Sequence, residues 1–155
     1  MRALVPVAAA LAVTFTPAWS YLPASLRATL AKESGGTLYL PARSPDFYRY
    51  RSGAAVRRGI LTVEFRDRVR VHAGLWKWTN KTFVWQVRPY KGSDCRAWGK
   101  AEKTLQMGGN KVYWAPTVAW RCVKGHVLAA VDGSGRIPDV GLGRVVASGL
   151  DVAGR

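Results

Sequence analysis

Residues 60–71 constrain this chain more than any other stretch, because apolar and polar side chains alternate there with a period of two. Leu61, Val63, Phe65, Val69 and Val71 fall on one side; Thr62, Glu64, Arg66, Arg68 and Arg70 fall on the other, and Asp67 alone interrupts the apolar side. Successive side chains point to opposite faces only in a strand, and such a strand belongs to a sheet packed on one face and wetted on the other. The same period marks most of the chain from Thr37 to Val131. Strands are expected over residues 37–40, ending at Pro41, and over 47–51, after the Ser44-Pro45-Asp46 turn. Residues 52–59 read as a basic, small-residue loop. Ala73-Gly74 reads as a register break, a bulge or bend. Beyond it, strands 75–78 and 83–87 flank Thr79-Asn80-Lys81-Thr82, a four-residue hairpin loop by length and composition. Asn80-Lys81-Thr82 also matches a glycosylation sequon, for which a polar turn is the plainer reading. A hairpin over 104–114 turns at Gly108-Gly109-Asn110, and strands 117–123 and 126–131 turn at Lys124-Gly125.

Helical spacing appears only at the two ends. Leu22, Leu26 and Leu30 recur every fourth residue and stop at Gly35-Gly36. Leu142, Val145, Val146 and Leu150 share one face of a helix begun by Pro138 and Asp139. Gly141, Gly143 and Gly149 each cost that helix about 1 kcal/mol against Ala, so it needs a sheet beneath it. The predicted fold is α+β: a curved antiparallel sheet of about seven to nine strands, backed by N- and C-terminal helices. At 155 residues and 48% hydrophobic, the chain suits one folded domain.

The N-terminus reads as an export signal. Arg2 precedes a stretch, residues 3–26, that holds no charged side chain, and residues 3–13 form a short apolar core. Ala18 and Ser20 place small residues at −3 and −1, so cleavage is expected between Ser20 and Tyr21, leaving residues 21–155 as a single domain. An uncleaved anchor is the alternative, since the uncharged run could span a bilayer. Pro6, Pro17 and the hydroxyls of Thr14, Thr16, Ser20 and Ser25 weigh against it. The expected destination is secreted or periplasmic. On that route Cys95 and Cys122 read as one disulfide, closing a loop worth about 3 kcal/mol in the loop-entropy picture. A zinc site needs four clustered ligands, which two lone cysteines with the distant His72 and His126 do not supply. No metal or other cofactor is expected.

Charge is the strongest functional signal. The formal net charge is +15, and residues 43–91 carry 12 basic and 3 acidic side chains. Alternation places Arg66, Arg68 and Arg70 in one row, with Arg49 and Arg51 on a neighbouring strand. Like charges in a row repel, so a surface that keeps them is expected to meet an anionic partner. Wall polymers, anionic lipid head groups, lipopolysaccharide and extracellular DNA are the candidates outside the cell. General basicity for solubility is the plainer reading. Trp85, Trp114 and Trp120 share parity with Val87, Val112 and Val118 and are expected in the core. Trp76 and Trp78 straddle Lys77; at least one should be exposed, where it could stack on a ligand beside the arginines. A packed corner is the competing reading. A rival enzymatic reading makes Glu64 the base and His126 the acid of a small secreted nuclease. The plainer role for Glu64 is to pair with the arginines on its own face.

Trp120-Arg121-Cys122-Val123, the turn Asp132-Gly133-Ser134-Gly135 and the helix that reads Leu142-Gly143-Arg144-Val145-Val146-Ala147-Ser148-Gly149-Leu150 carry a family likeness. Together with Leu38-Tyr39-Leu40-Pro41, they resemble an uncharacterised domain of secreted and anti-sigma-factor-type bacterial proteins. That resemblance implies the curved-sheet architecture of lipoprotein carriers, with a concave apolar face that could hold an apolar ligand. It implies no catalytic residues.

Overall fold

The structure is a computed structural model, and it describes residues 16–155. The apolar core of the expected export signal, residues 3–13, lies outside the described residues. Within them, two α-helices and nine strands follow a short 3-10 turn at Ala18–Tyr21. They are α1 (Ala24–Glu33), β1 (Tyr39–Pro41), β2 (Arg49–Arg57), β3 (Ile60–His72), β4 (Leu75–Pro89), β5 (Lys103–Met107), β6 (Asn110–Ala115), β7 (Val118–Val123), β8 (His126–Val131), α2 (Asp139–Ala147) and β9 (Gly149–Asp151). Seven strands form an open antiparallel sheet in the order β2-β3-β4-β8-β7-β6-β5, and β1 pairs with β9 in a separate two-stranded sheet. Two meanders, β2-β3-β4 and β5-β6-β7-β8, therefore meet at the β4–β8 pair. Among the described residues no helix is long and apolar enough to cross a membrane.

The sheet carries apolar clusters on both faces. On one, Leu61, Val63, Phe65, Phe83, Trp85, Leu128 and Ala130 are buried together with Leu142, Val145 and Val146 of α2. Indole donors are answered there: Trp85 Nε1 donates to Tyr39 O at 2.9 Å, and Trp114 Nε1 to Asp139 O at 2.9 Å. On the other face Val118, Trp120, Val127 and Ala129 are buried beneath the segment after β4. Cys95 and Cys122 are disulfide-bonded across that cluster, 27 residues apart in sequence, and Trp120 Nε1 donates to Cys95 O at 2.7 Å. Trp85, Trp114 and Trp120 are all core residues, as their parity implies.

Three local expectations are corrected. Residues 52–57 are strand, not loop: β2 runs through them because a bulge between Tyr50 and Ala54, with Gly53 at φ 91°, absorbs the break in register. The chain reverses at Ala73-Gly74, not at Thr79-Asn80-Lys81-Thr82, and β4 passes straight through the latter. An irregularity there is tied down from the partner strand: Thr79 Oγ1 donates to Asp67 Oδ2 at 3.2 Å, and Arg66 Nη1 to Thr79 O at 3.1 Å. Finally, the C-terminal helix ends at Ala147, and Leu150 leaves it for β9, opposite Leu40. Gly149 lies so close to Trp85 and Leu128 that a Cβ would overlap them, and its carbonyl accepts from Arg121 Nη2.

At the start of the described chain, Ala18 is buried and its N–H donates to Ala42 O at 2.8 Å, while the Arg27 guanidinium lies 5.1 Å from the Trp19 ring centre. A chain cut between Ser20 and Tyr21 would lose both contacts and keep α1.

Candidate polyanion-binding face

The β3–β4 hairpin outruns its neighbours. β2 pairs with β3 only as far as Arg49↔Arg66, and β8 pairs with β4 only as far as Val84↔Val131. Residues 67–81 therefore have no strand on either outer edge. The overhang from Asp67 to His72 is roughly 17 Å long at about 3.3 Å per residue. This explains why one alternating pattern has two fates. Leu61, Val63 and Phe65 are buried, whereas Val69 and Val71, on the same parity, are 46% and 49% exposed. Asp67 is buried between the two groups and accepts the Thr79 hydroxyl.

The cross-strand pairs Arg68↔Trp78 and Arg70↔Trp76 put two guanidinium groups and two indoles side by side on the hairpin. The Arg68 guanidinium lies 4.3 Å from the Trp76 ring centre and that of Arg51 lies 5.5 Å from Trp78. Such stacking holds each cation at about 0.5–1 kcal/mol while leaving its charge uncancelled. Trp76 and Trp78 are both half-buried, partly roofed by these arginines, so neither stands fully free. Phe47 adds a third ring, 5.5 Å from Trp76. The alternation reads it as the first residue of a strand over 47–51, but its left-handed φ of 72° puts it in the turn before β2, which starts at Arg49, and so turns it toward Trp76. Lys77, opposite Val69, and Lys81 add further cations to the hairpin.

Two expected members stand apart. Arg66 is ion-paired to Glu64 at 3.1 Å, which is the plainer role for that acid. Arg49 pairs with Arg66 across β2–β3, but its guanidinium stacks 4.8 Å from the Tyr21 ring and donates to Tyr48 O at 2.9 Å. Arg51, Arg68 and Arg70 have no carboxylate partner; the ion pairs among the described residues are Arg66–Glu64, Arg96–Asp94 and Lys103–Asp139.

Glu64 and His126 are not brought together. Glu64 pairs with Val84 and His126 with Pro89, five residues further along β4 and of opposite parity. They lie on opposite faces and about 17 Å apart along the strand. The His126 ring instead lies 5.3 Å from that of Tyr39, and its Nδ1 is 3.3 Å from Lys124 O. A cleft of about 650 Å³ opens between the 3-10 turn, the β1–β2 connection and α2, with Tyr21, Phe47, Arg49, Ile137 and Arg144 in its lining. It is open to solvent and carries arginines. The apolar face of the sheet is filled by Phe65, Phe83 and Trp85. No group of three or more metal-ligating side chains occurs among the described residues.

The buried titratable groups serve structure. Burial exerts the largest influence on Asp132 and would raise its pKa. Hydrogen bonds from the Ser134 hydroxyl and from the N–H groups of Ile137, Ser134 and Arg136 outweigh burial and hold the carboxyl below its usual range. The Ser134 and Ile137 bonds span 2.6 and 2.7 Å and tie the end of β8 to the start of α2. Tyr48 is pushed up by burial first, and then by the carboxylates of Asp67 and Asp132. No family model, curated protein or solved structure matches this chain.

Proposed function

We propose that this is an exported, non-catalytic protein that holds an anionic envelope polymer or surface through its basic, tryptophan-bearing hairpin. On this reading the sheet is curved and backed by α1 and α2, and the hairpin overhang is its working end. One observation carries the reading. Arg51, Arg68 and Arg70 gather around Trp76 and Trp78 on a hairpin with no strand beside it, and no carboxylate answers them. Solubility alone asks for dispersed charge, whereas cations held against aromatic rings suit a partner that offers phosphate or carboxylate groups. The disulfide is compatible with an extracellular or periplasmic site.

The test is retention on heparin. The protein should elute only at raised salt; the exposed Lys32, Lys100 and Lys124 changed to Ser give the reference for lost net charge, and Arg51, Arg68 and Arg70 changed together to Ser should lower the eluting salt clearly further, with the melting temperature kept. Elution of the arginine variant no lower than the lysine reference would overturn the reading. The nuclease alternative is checked in parallel, since it requires RNA cleavage that Glu64→Gln abolishes.

A further inference from the structure

We infer that the anionic partner is a lipid bilayer, and that the tip of the β3–β4 hairpin enters its interfacial layer. The inference rests on the basic face proposed above and adds what that face does not explain, namely the apolar side chains on the hairpin's other side and at its tip. Seven large hydrophobic residues are exposed among those described, and four of them, Phe47, Val69, Val71 and Leu75, are on this hairpin or against it. Leu75 is 54% exposed and Val71 49%, and they flank the Ala73-Gly74 reversal at the extreme tip. A sulfated polymer or nucleic acid offers no apolar phase to the aliphatic Val69, Val71 and Leu75, while a bilayer takes up both kinds of group at once.

The order of residues along the hairpin matches the order of chemistry across a leaflet. Val71 and Leu75 come first, at the end furthest from the sheet. Trp76 follows, and indoles favour the boundary between acyl chains and head groups. Arg70 lies level with Trp76 across the hairpin, and Lys77, Arg68 and Trp78 come next, so guanidinium and ammonium groups meet lipid phosphates from the indole level outward. The backbone limits the depth. With no strand on its outer edges, the hairpin carries unpaired N–H and C=O groups that hydrocarbon would leave unsatisfied, so it stops in the interfacial layer. Protection of a bare edge against aggregation would also keep arginine and lysine here. It would not place Val69, Val71 and Leu75 beside them, because exposed apolar edge residues promote the pairing that such charges prevent.

The probes are vesicles of phosphatidylcholine alone and vesicles with about one-third phosphatidylglycerol, binding the full chain in a sedimentation assay. Binding to the anionic vesicles should be at least tenfold tighter, with tryptophan emission shifted to the blue and quenched by brominated acyl chains. Val71→Ser with Leu75→Ser, at exposed positions outside the core and with no change of charge, should weaken vesicle binding at least tenfold and leave heparin retention unchanged. Arg68→Ser with Arg70→Ser should weaken both, by about fivefold per cation on vesicles. Trp76→Phe with Trp78→Phe should remove most of the bromine quenching. Heparin retention without vesicle binding, or vesicle binding indifferent to the two serine substitutions at Val71 and Leu75, would overturn the lipid inference and leave a polymer as the partner. Vesicle binding without bromine quenching would overturn insertion. Loss of neither partner in the arginine variant would overturn the basic face itself.

Discussion

Removing charge from the hairpin should change the salt dependence of polyanion binding by an amount the structure sets in advance. Arg68 and Arg70 lack carboxylate partners, so each is free to displace a condensed counterion from a bound polyanion. On duplex DNA, used as a uniform polyanion, each such contact contributes about 0.9 to the slope of log K against log salt. Arg68→Ser with Arg70→Ser should therefore flatten the slope by about 1.8. Between about 50 and 200 mM salt, the wild type then loses roughly tenfold more affinity than the variant. Arg66 is the internal control, because its guanidinium sits 3.1 Å from Glu64 Oε1. Arg66→Ser with Glu64→Gln leaves the net charge unchanged and should alter the slope by less than about 0.3 on the same scale. The assay is fluorescence anisotropy of a labelled duplex, titrated at four or more salt concentrations. Equal slopes for the wild type and the Arg68/Arg70 variant would refute the reasoning, whatever the absolute affinities.

Three further outcomes concern the scaffold. Replacing Cys95 and Cys122 by Ser opens a 27-residue separation, so stability should fall by about 3.5 kcal/mol and the melting temperature by roughly 10 °C. A calorimetric shift below about 3 °C would contradict this. Gly143→Ala puts a methyl group into the space of the Trp114 ring and Met107 sulfur, and should cost about 1–3 kcal/mol despite alanine's better helix propensity. A neutral or stabilising result by urea melt would show that α2 can shift away. Asp132→Asn should cost about 2 kcal/mol near neutral pH, by weakening bonds to Ser134 and Ile137. Because the folded carboxyl is depressed, its contribution is present above the unfolded Asp value of about 3.9 and is lost as pH falls through the folded value. The gap between the two melting temperatures should thus close in acid, and a gap that widened there would reverse the assignment.

The contrast between Val63 and Val69 shows where one-dimensional reasoning stops. Both lie on the apolar parity of β3; one is fully buried and the other is 46% exposed. Parity is a local property, set by the alternation of backbone geometry. Burial depends on whether another element reaches that far. The Thr79-Asn80-Lys81-Thr82 segment failed as a hairpin loop for a related reason. Its polar composition suits a turn, but cross-strand bonds from Arg66 and to Asp67 hold it as an irregularity within β4. Phe47, expected at the start of a strand over 47–51, reached the site instead through a positive-φ turn before β2 that alternation does not reveal.

The sequence by itself determined the strand alternation of β3, the Cys95–Cys122 pairing, the core placement of Trp85, Trp114 and Trp120, and the concentration of cations in residues 43–91. These follow from side-chain period and residue chemistry, which act over a few neighbours or through one covalent bond. Only the tertiary structure decided that Glu64 cancels Arg66, that His126 lies on the other face, and that Arg68, Arg70, Trp76 and Trp78 stand on an unflanked hairpin. Those outcomes depend on how far each strand runs past its partner, a quantity set by register between segments distant in the chain.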